Sequence, residues 1–316
     1  MKAVEYITNL LEYDGEGLKI DNTSDQNIRY YGSNPDNYVS FNNELWRIIG
    51  VFGNNVKLVR SESLGNLSWD SSDSTINNGD GINQWGESTY EDGSYYEGAD
   101  LQVYLNKMYY GGTEVTCYGG RNNQTTTCPT NKLDETSKSL IDNHIWNTGA
   151  IENMMRTDTL AFYQAERGSV NGKSSRSSGN RWNDTIIRTT EWTGYVGLPY
   201  VTDWAYASSE SICETNMQAQ EGSYAYICKN NNWMQWDNLN VSYLSPAYYE
   251  DNENFSYVVG LYGSTYCSAY DLRGSFNPGV AEESLSVFPT IYLKSNILIE
   301  SGKGTSGNPY ILKAGS

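Results

Sequence analysis

The stretch YVSFNNELWRIIGVFGNNVKLVR, residues 38–60, carries the clearest structural signal in the chain. Two runs rich in β-branched and aromatic residues, ELWRIIGVF and VKLVR, flank the turn sequence Gly53-Asn54-Asn55, which is typical of a β-hairpin. The run YVSF before them predicts a further strand. We therefore expect a β-rich framework whose core includes Trp46, Ile48, Ile49, Val51 and Leu58.

Flanking segments add short helices. Residues 2–12 carry apolar side chains at helical spacing, and these are Val4, Ile7, Leu10 and Leu11. Asp100 precedes LQVYLNKMYY and Asp134 precedes ETSKSLIDNHIWN, so we expect each aspartate to be the N-cap of a short helix. The predicted buried faces of these two helices are Leu101, Tyr104, Leu105 and Met108 in the first and Leu140, Ile141, His144 and Ile145 in the second.

Short runs elsewhere predict further strands. They are DTLAFY, TGYVGLPYV, and the closing runs SVFPTIYLKS and PYILK. Pro289 in the first closing run favours a strand start or an edge position there. The predicted fold class is therefore α+β and loop-rich, with short antiparallel strands and a few short helices.

Size and charge limit the classes of partner. The chain has 316 residues and a formal net charge of −17, which is enough length for one compact domain with a sizeable core. A strongly negative chain repels phosphate backbones and anionic membrane surfaces. We therefore expect no nucleic-acid partner and no membrane contact by the folded domain itself.

The cysteines indicate an oxidising compartment. Cys117 and Cys128 form one closely spaced pair, Cys213 and Cys228 form another, and Cys267 is left over. This spacing predicts two local disulfides and an extracellular location. The N terminus lacks the basic start and apolar run of a signal peptide, so we expect a signal or membrane anchor upstream in the native protein.

Residues 233–277 look like a recognition surface. They hold eleven aromatic side chains among Asn, Ser, Gly and Asp, with one basic residue, Arg273. Tyrosine and tryptophan provide large contact area at little cost in rotamer entropy, and small polar residues provide adaptable hydrogen bonds. Half-buried tyrosines of a β-rich domain are the alternative interpretation. The predicted ligand-binding residues are Trp236, Asn238, Asn240, Tyr243, Tyr248, Tyr249, Asp251, Asn252, Asn254, Tyr257, Tyr262, Ser264, Tyr266, Tyr270, Asp271 and Arg273.

Catalytic patterns are weak, and we expect neither an enzyme nor a cofactor. A Ser-His-Asp or Cys-His mechanism would require His144, the one histidine, which we interpret as packed or surface-exposed. Carboxylates could serve glycoside hydrolysis, and the candidates are Glu250, Asp251 and Glu253, or Asp70 and Asp73. Chance proximity is expected, however, in a chain with 38 acidic residues. Calcium stays open as an alternative ligand, and its candidate oxygen donors are Asp70, Asp73, Asn77 and Asp80.

Several motifs together resemble a group of bacterial surface proteins found in gut Firmicutes, which carry a C-type-lectin-like module of unknown function. The likeness covers roughly residues 27–312. It rests on Trp46 to Gly50, Trp69-Asp70, Leu105 to Tyr110, Leu244 to Pro246, Pro289 to Ser295 and Gly302 to Tyr310. The chain departs from the group where SYLSP lacks a tryptophan before the turn and where Cys267 has no counterpart.

The resemblance implies a C-type-lectin-like ectodomain over residues 26–313, after an N-terminal helix and linker over residues 1–25 left from an anchor or stalk. Residues 314–316 would be a non-native tail. The group is similar to the variable proteins of diversity-generating retroelements, in which the stretch that corresponds to residues 235–277 tolerates massive side-chain replacement. The expected function is an adhesin-like or receptor-like module, anchored at the cell surface, that binds a protein or glycan. A structural pilus or envelope subunit and a carbohydrate-active enzyme are the alternatives.

Overall fold

The computed structural model describes residues 1–13, 17–69, 85–86, 88–90, 93, 95–119, 124–148, 151–152, 159–167, 186–187, 191–215, 230–236, 241–249, 252–262, 266–271 and 284–315. Its six α-helices are α1 (Ala3–Tyr13), α2 (Asp100–Val103), α3 (Glu135–Leu140), α4 (Thr159–Glu166), α5 (Val201–Tyr206) and α6 (Ser211–Thr215), and a π-helix (Tyr104–Tyr110) continues α2. Strands outnumber helices in these ranges, so the chain is a mixed α+β protein, as the sequence pattern predicted.

The strands of the described residues are mostly short. In chain order they are β1 (Leu18–Ile20), β2 (Ile28–Tyr30), β3 (Tyr38–Phe41), β4 (Glu44–Phe52), β5 (Asn55–Arg60), β6 (Asn66–Leu67), β7 (Ser88–Tyr90), β8 (Tyr95–Tyr96), β9 (Cys117–Tyr118), β10 (Thr125–Thr126), β11 (His144–Asn147), β12 (Ile151–Glu152), β13 (Ile186–Ile187), β14 (Glu191–Gly194), β15 (Val196–Gly197), β16 (Val241–Tyr249), β17 (Asn252–Tyr262), β18 (Tyr266–Asp271), β19 (Leu285–Ser286), β20 (Thr290–Tyr292), β21 (Leu298–Ser301) and β22 (Tyr310–Lys313).

The predicted hairpin is the centre of the largest sheet. Its order is β15-β20-β5-β4-β3-β22-β21, and β2 joins β1 to β4. The turn comprises Gly53 and Asn54, since Phe52 already pairs with Asn55, and Gly53 takes a φ of +57°. The five predicted core residues are confirmed, because Trp46, Ile48, Ile49, Val51 and Leu58 are all at most 5% exposed.

A second open sheet is formed late in the chain. Its order is β18-β17-β16-β19-β6, and β12 pairs with β16 in parallel. Tyr262 lies opposite Tyr266, and Val258 lies opposite Tyr270. The recognition region therefore contains three antiparallel strands, although its sequence shows no clean alternation of polar and apolar residues.

Several local predictions are confirmed. The first helix was expected over residues 2–12 and lies at Ala3–Tyr13, with Ile7 fully buried. Asp134 caps α3, since its Oδ1 accepts a hydrogen bond of 2.6 Å from the backbone N–H of Ser137. Pro289 directly precedes β20, and PYILK contains β22.

The prediction that the helix after Asp134 continues through His144 and Ile145 was wrong. The helix ends at Leu140, because Ile141 adopts extended backbone angles and pairs with Leu293. Residues His144–Asn147 form β11, which pairs with β14. The side chains of Ile145 and Trp146 suit a strand better than a helix.

Two further local predictions were wrong. The N-cap of α2 is Ala99, so Asp100 is the first helical residue and makes no side-chain cap. The predicted buried face Leu101, Tyr104, Leu105 and Met108 is nevertheless correct. DTLAFY was expected to be a strand, but residues Thr159–Glu166 form α4, which buries Phe162 and Tyr163 against the rest of the fold.

One predicted disulfide is confirmed. Cys117 and Cys128 are joined with an S–S distance of 2.07 Å across β9 and β10. Cys213 is buried and disulfide-bonded, and its predicted partner Cys228 lies outside the described residues. Cys267 belongs to β18, but the structure does not describe its side chain. In the ranges that the structure describes, no helix is long and apolar enough to cross a membrane.

Candidate functional site

An open depression of about 500 Å³ lies beside the start of the recognition region. The segments that surround it come from two distant parts of the sequence, residues 33–61 and 230–236. Its lining side chains are Ser33, Tyr38, Arg47, Ser61, Asn230, Asn232, Trp233, Gln235 and Trp236. The depression therefore combines aromatic rings with amides, hydroxyls and one guanidinium, and none of these nine residues carries a carboxylate.

Arg47 contacts two of the aromatic rings that line this depression. Its guanidinium lies between two rings, 4.2 Å from the ring centre of Tyr38 and 4.5 Å from that of Trp233. Its Nε donates a 2.7 Å hydrogen bond to Oδ1 of Asn37, and Nη2 donates to the carbonyl of Pro35 at 3.2 Å. Burial lowers the pKa of Arg47 to about 10. Arg47 therefore stays charged at neutral pH and holds both rings in place through cation–π contacts.

The two tryptophans of the depression are held differently. Trp233 is buried, and its Nε1 donates a 2.9 Å hydrogen bond to the carbonyl of Tyr30. Trp236 is half-buried and stacks on Phe288 at 4.2 Å between ring centres. The partly exposed ring of Trp236 is already held in place by Phe288, so a ligand that contacts it need not immobilise it on binding.

Helix α5 positions the segment that carries these tryptophans. Nδ2 of Asn232 donates a 2.7 Å hydrogen bond to the carbonyl of Trp204, and Nε1 of Trp204 donates to Oε1 of Gln235 at 3.3 Å. Asn232 also forms β-bridges with Ser208 and Gly32. The geometry of the depression therefore depends on where α5 sits.

A buried charge cluster fixes α5 to the large sheet. Oδ1 of Asp203 accepts 2.8 Å from Nη1 of Arg29, and Oδ2 accepts 2.5 Å from Nζ of Lys57 and 2.9 Å from the backbone N–H of Tyr200. Nε of Arg29 also donates a 2.6 Å hydrogen bond to Asp21. The side chains of Lys57 and Asp203 are fully excluded from solvent.

The buried environment lowers the pKa values of Asp203 and Lys57 and raises that of Glu166. Burial opposes the ionisation of Asp203, but Lys57 and Arg29 outweigh it and hold the pKa of this carboxyl below its usual value. Burial lowers the pKa of Lys57 to about 8. Burial raises the pKa of Glu166 to about 7, and this side chain accepts a 2.9 Å hydrogen bond from Oγ1 of Thr202.

The predicted ligand-binding residues are placed unevenly. Trp236 lines the depression. Ten others belong to β16–β18, whose side-chain placement lies outside what the structure describes: Tyr243, Tyr248, Tyr249, Asn252, Asn254, Tyr257, Tyr262, Tyr266, Tyr270 and Asp271. Five lie outside the described residues altogether, namely Asn238, Asn240, Asp251, Ser264 and Arg273.

Sequence reasoning missed most of the depression. Tyr38, Arg47 and Trp233 were not among the predicted ligand-binding residues, and Arg47 lies in a strand where a charged residue normally faces solvent. The separation of 186 residues between Arg47 and Trp233 leaves no local signal that joins them.

The calcium hypothesis falls on residues that the structure does not describe, since Asp70, Asp73, Asn77 and Asp80 all lie within 70–84. Among the described residues, no group of three or more His, Cys, Asp or Glu side chains could hold a metal ion. Calcium therefore stays an untested alternative for this chain.

His144 is packed in an aromatic environment. Its ring stacks on Tyr292 at 3.7 Å between ring centres, and its Nδ1 lies 3.0 Å from Oδ2 of Asp142. Burial lowers the pKa of His144 and outweighs the hydrogen bond and charge of Asp142, which would raise it. The neutral imidazole is therefore the form that the fold favours.

Acidification should weaken the fold through His144. Because its pKa is lower in the folded chain than in the unfolded one, the unfolded chain binds more protons just below pH 6.5, and stability falls as the pH drops through this window. A His144→Phe variant keeps a ring against Tyr292 but does not titrate, so urea unfolding of both proteins from pH 7.5 to 5 isolates the contribution. The single histidine also gives one imidazole titration by NMR, and a pKa at or above 6.5 would contradict this account.

No family model, curated protein or solved structure matches this chain.

Proposed function

We propose that this chain is an extracellular ligand-binding module, of C-type-lectin-like type and anchored at the cell surface, which presents an aromatic and amide-rich surface to a glycan or protein. The Cys117–Cys128 disulfide supports the compartment, since such bonds persist in oxidising environments. The resemblance to exported surface proteins and the composition of residues 233–277 support the recognition role.

The observation that carries the proposal is that none of the lining residues of the depression described by the structure bears a carboxylate, in a chain that has 38 acidic residues. Its volume is within the roughly 300–1,000 Å³ of small-molecule sites. The guanidinium of Arg47 is engaged by Tyr38, Trp233 and Asn37. The remaining aromatic faces, amides and hydroxyls suit an uncharged, hydroxyl-rich group, because the rings cover its apolar surface and the amides satisfy its hydroxyls. A sugar residue of a neutral glycan meets this description best.

The three strands β16–β18 extend the proposed surface. Their ladder fixes the backbone positions of ten of the predicted ligand-binding residues, and a fixed backbone can carry different side chains without changing the fold. We propose that this sheet region is diversified in sequence among related strains. Comparison of the corresponding genes would show substitutions concentrated in residues 235–277 if this is correct, and evenly spread substitutions if it is not.

Glycan binding provides the direct test. On arrays of neutral glycans followed by calorimetry, the protein should bind one class, and Trp236→Ala should weaken that binding by about tenfold or more, as loss of a well-packed aromatic contact typically does. Tyr13→Ala is the matched control, because Tyr13 is 87% exposed on α1 and is not a lining residue.

The remaining outcomes separate the alternatives. If Tyr248→Ala and Tyr266→Ala abolish binding while Trp236→Ala does not, the ligand occupies the strands and the depression is not the site. If the protein binds nothing on glycan or protein arrays and self-associates instead, it is a structural subunit. Release of sugar from a bound glycan would identify an enzyme.

A further inference from the structure

Lys57 and Asp203 meet in a part of the core that excludes water. The Lys57 ammonium has four aromatic ring centres within 6 Å, at 4.0 Å for Tyr200, 5.2 Å for Tyr292, 5.3 Å for Phe52 and 5.5 Å for Trp146. Its Nζ lies 2.5 Å from Oδ2 of Asp203, and neither side chain has any exposed surface. An amine and a carboxyl group are thus held together where no solvent competes for either of them.

We propose that Lys57 and Asp203 condense to an intramolecular isopeptide bond that covalently joins β5 to α5. Lys57 first passes one ammonium proton to Oδ2 of Asp203, which lies 2.5 Å away. The neutral amine then attacks Cγ, the new N–C bond forms, the nitrogen gives up a second proton to Oδ2, the Cγ–Oδ2 bond breaks, and Oδ2 leaves as water. The ammonium and carboxylate together contain all the atoms of the amide and the water. The step therefore needs no oxidant, reductant or other reactant.

The neighbouring groups fit this chemistry. Arg29 donates a hydrogen bond to Oδ1 of Asp203, the oxygen that stays in the amide and that becomes negative as the amine adds. Glu166 is fully buried on α4 and interacts electrostatically with both Lys57 and Asp203. Thr202, which precedes Asp203 in α5, donates a 2.9 Å hydrogen bond to this carboxyl, and in the proposed step Glu166 relays the second proton from the amine to the leaving oxygen.

The charges of the cluster also favour the product. Condensation removes one positive and one negative charge together, and Arg29 keeps Asp21 as its partner at 2.6 Å. An isolated ion pair in an apolar interior is costly because both charges lose their hydration, whereas an amide in the same place is neutral.

The isopeptide bond between Lys57 and Asp203 would also fix the helix that supports the depression. Asp203 and Trp204 are consecutive in α5, and Trp204 holds Asn232 and Gln235 of the depression by hydrogen bonds. A covalent link from β5 to α5 would therefore fix the support of the binding segment relative to the sheet. This is independent of which ligand the depression takes.

Mass spectrometry of the full chain tests the proposal. After reduction and denaturation, we expect an intact mass lower than that of the sequence by one water molecule, and a proteolytic digest that contains the Lys57 peptide joined to the Asp203 peptide. The full sequence mass with both peptides free would overturn the proposal. So would a loss of water without joined peptides, which would identify an internal dehydration elsewhere.

Variants separate the roles of the three groups. Lys57→Met and Asp203→Ala should each restore the full mass. Glu166→Gln should lower the fraction of joined chains at short times after synthesis, and an unchanged fraction would remove Glu166 from the mechanism. The matched control is Lys313→Met, because Lys313 forms an exposed ion pair with Glu300 at 3.3 Å and should leave the water loss unchanged. Should either core variant fail to fold, the digest of the unaltered protein still decides the question.

Discussion

Asp203→Ala is expected to destabilise the fold by roughly 3–5 kcal/mol, because removal of one partner leaves buried charges without compensation. Asp203 accepts hydrogen bonds from Arg29, Lys57 and the backbone of Tyr200. Without it, Lys57 loses the carboxylate that accepts its hydrogen bond inside the aromatic cage. The effect is expected whether or not the isopeptide bond has formed, since the variant removes both the bond and the acceptor for Arg29.

Urea unfolding followed by tryptophan fluorescence measures this loss. The matched control is Glu300→Ala, which removes the partner of Lys313 in an ion pair whose side chains are both more than half exposed. Exposed pairs contribute about 1 kcal/mol or less, so this variant should unfold close to the unaltered protein. Similar losses in the two variants would mean that the buried cluster does not anchor α5.

Gly50→Ala should also destabilise the protein by about 3 kcal/mol or more, since a clash between backbones cannot be relieved by rotating a side chain. A Cβ on Gly50 would lie 2.0 Å from the carbonyl oxygen of Ile28 and 3.1 Å from Cα of Arg29. Strands β2 and β4 would have to separate at the pair Arg29–Gly50. That movement would also draw Arg29 away from Asp203.

Gly307→Ala provides the control for Gly50, because nothing lies within 4 Å of its added Cβ and its φ is not positive. Its melting temperature should match that of the unaltered protein within a few degrees. An equally stable Gly50→Ala variant would show that β2 is not packed against β4 as the structure has it.

Local sequence predicted the features that depend on near neighbours. The hairpin before and after Gly53, the cap at Asp134 and the disulfide Cys117–Cys128 each join residues that are close in the sequence, from Asp134 and Ser137 in the cap to Trp46 and Arg60 in the hairpin. The errors lie where a short apolar run fits two structures. HIWN suits a helix by periodicity but pairs with β14, and TLAFY suits a strand by composition but forms α4.

No local sequence pattern predicted the buried charge cluster or the depression. Lys57 alternates with apolar residues in VKLVR and would ordinarily face solvent from a strand, and Asp203 follows YVT with no pattern of its own. Only the packing of α5 on the large sheet brings them together across 146 residues. Trp236 was predicted from composition alone, whereas Tyr38 and Arg47 entered the site through the fold.

The amino-acid sequence by itself determined the β-rich framework, the acidic surface charge, the local disulfide and the richness of residues 233–277 in aromatic and amide groups, because these follow from composition and from contacts between near neighbours. The tertiary structure decided which charges are buried together and which rings meet around Arg47. Those contacts join segments that are far apart in the chain, and their partners are selected by the packing of α5 and the sheet, which no local pattern encodes.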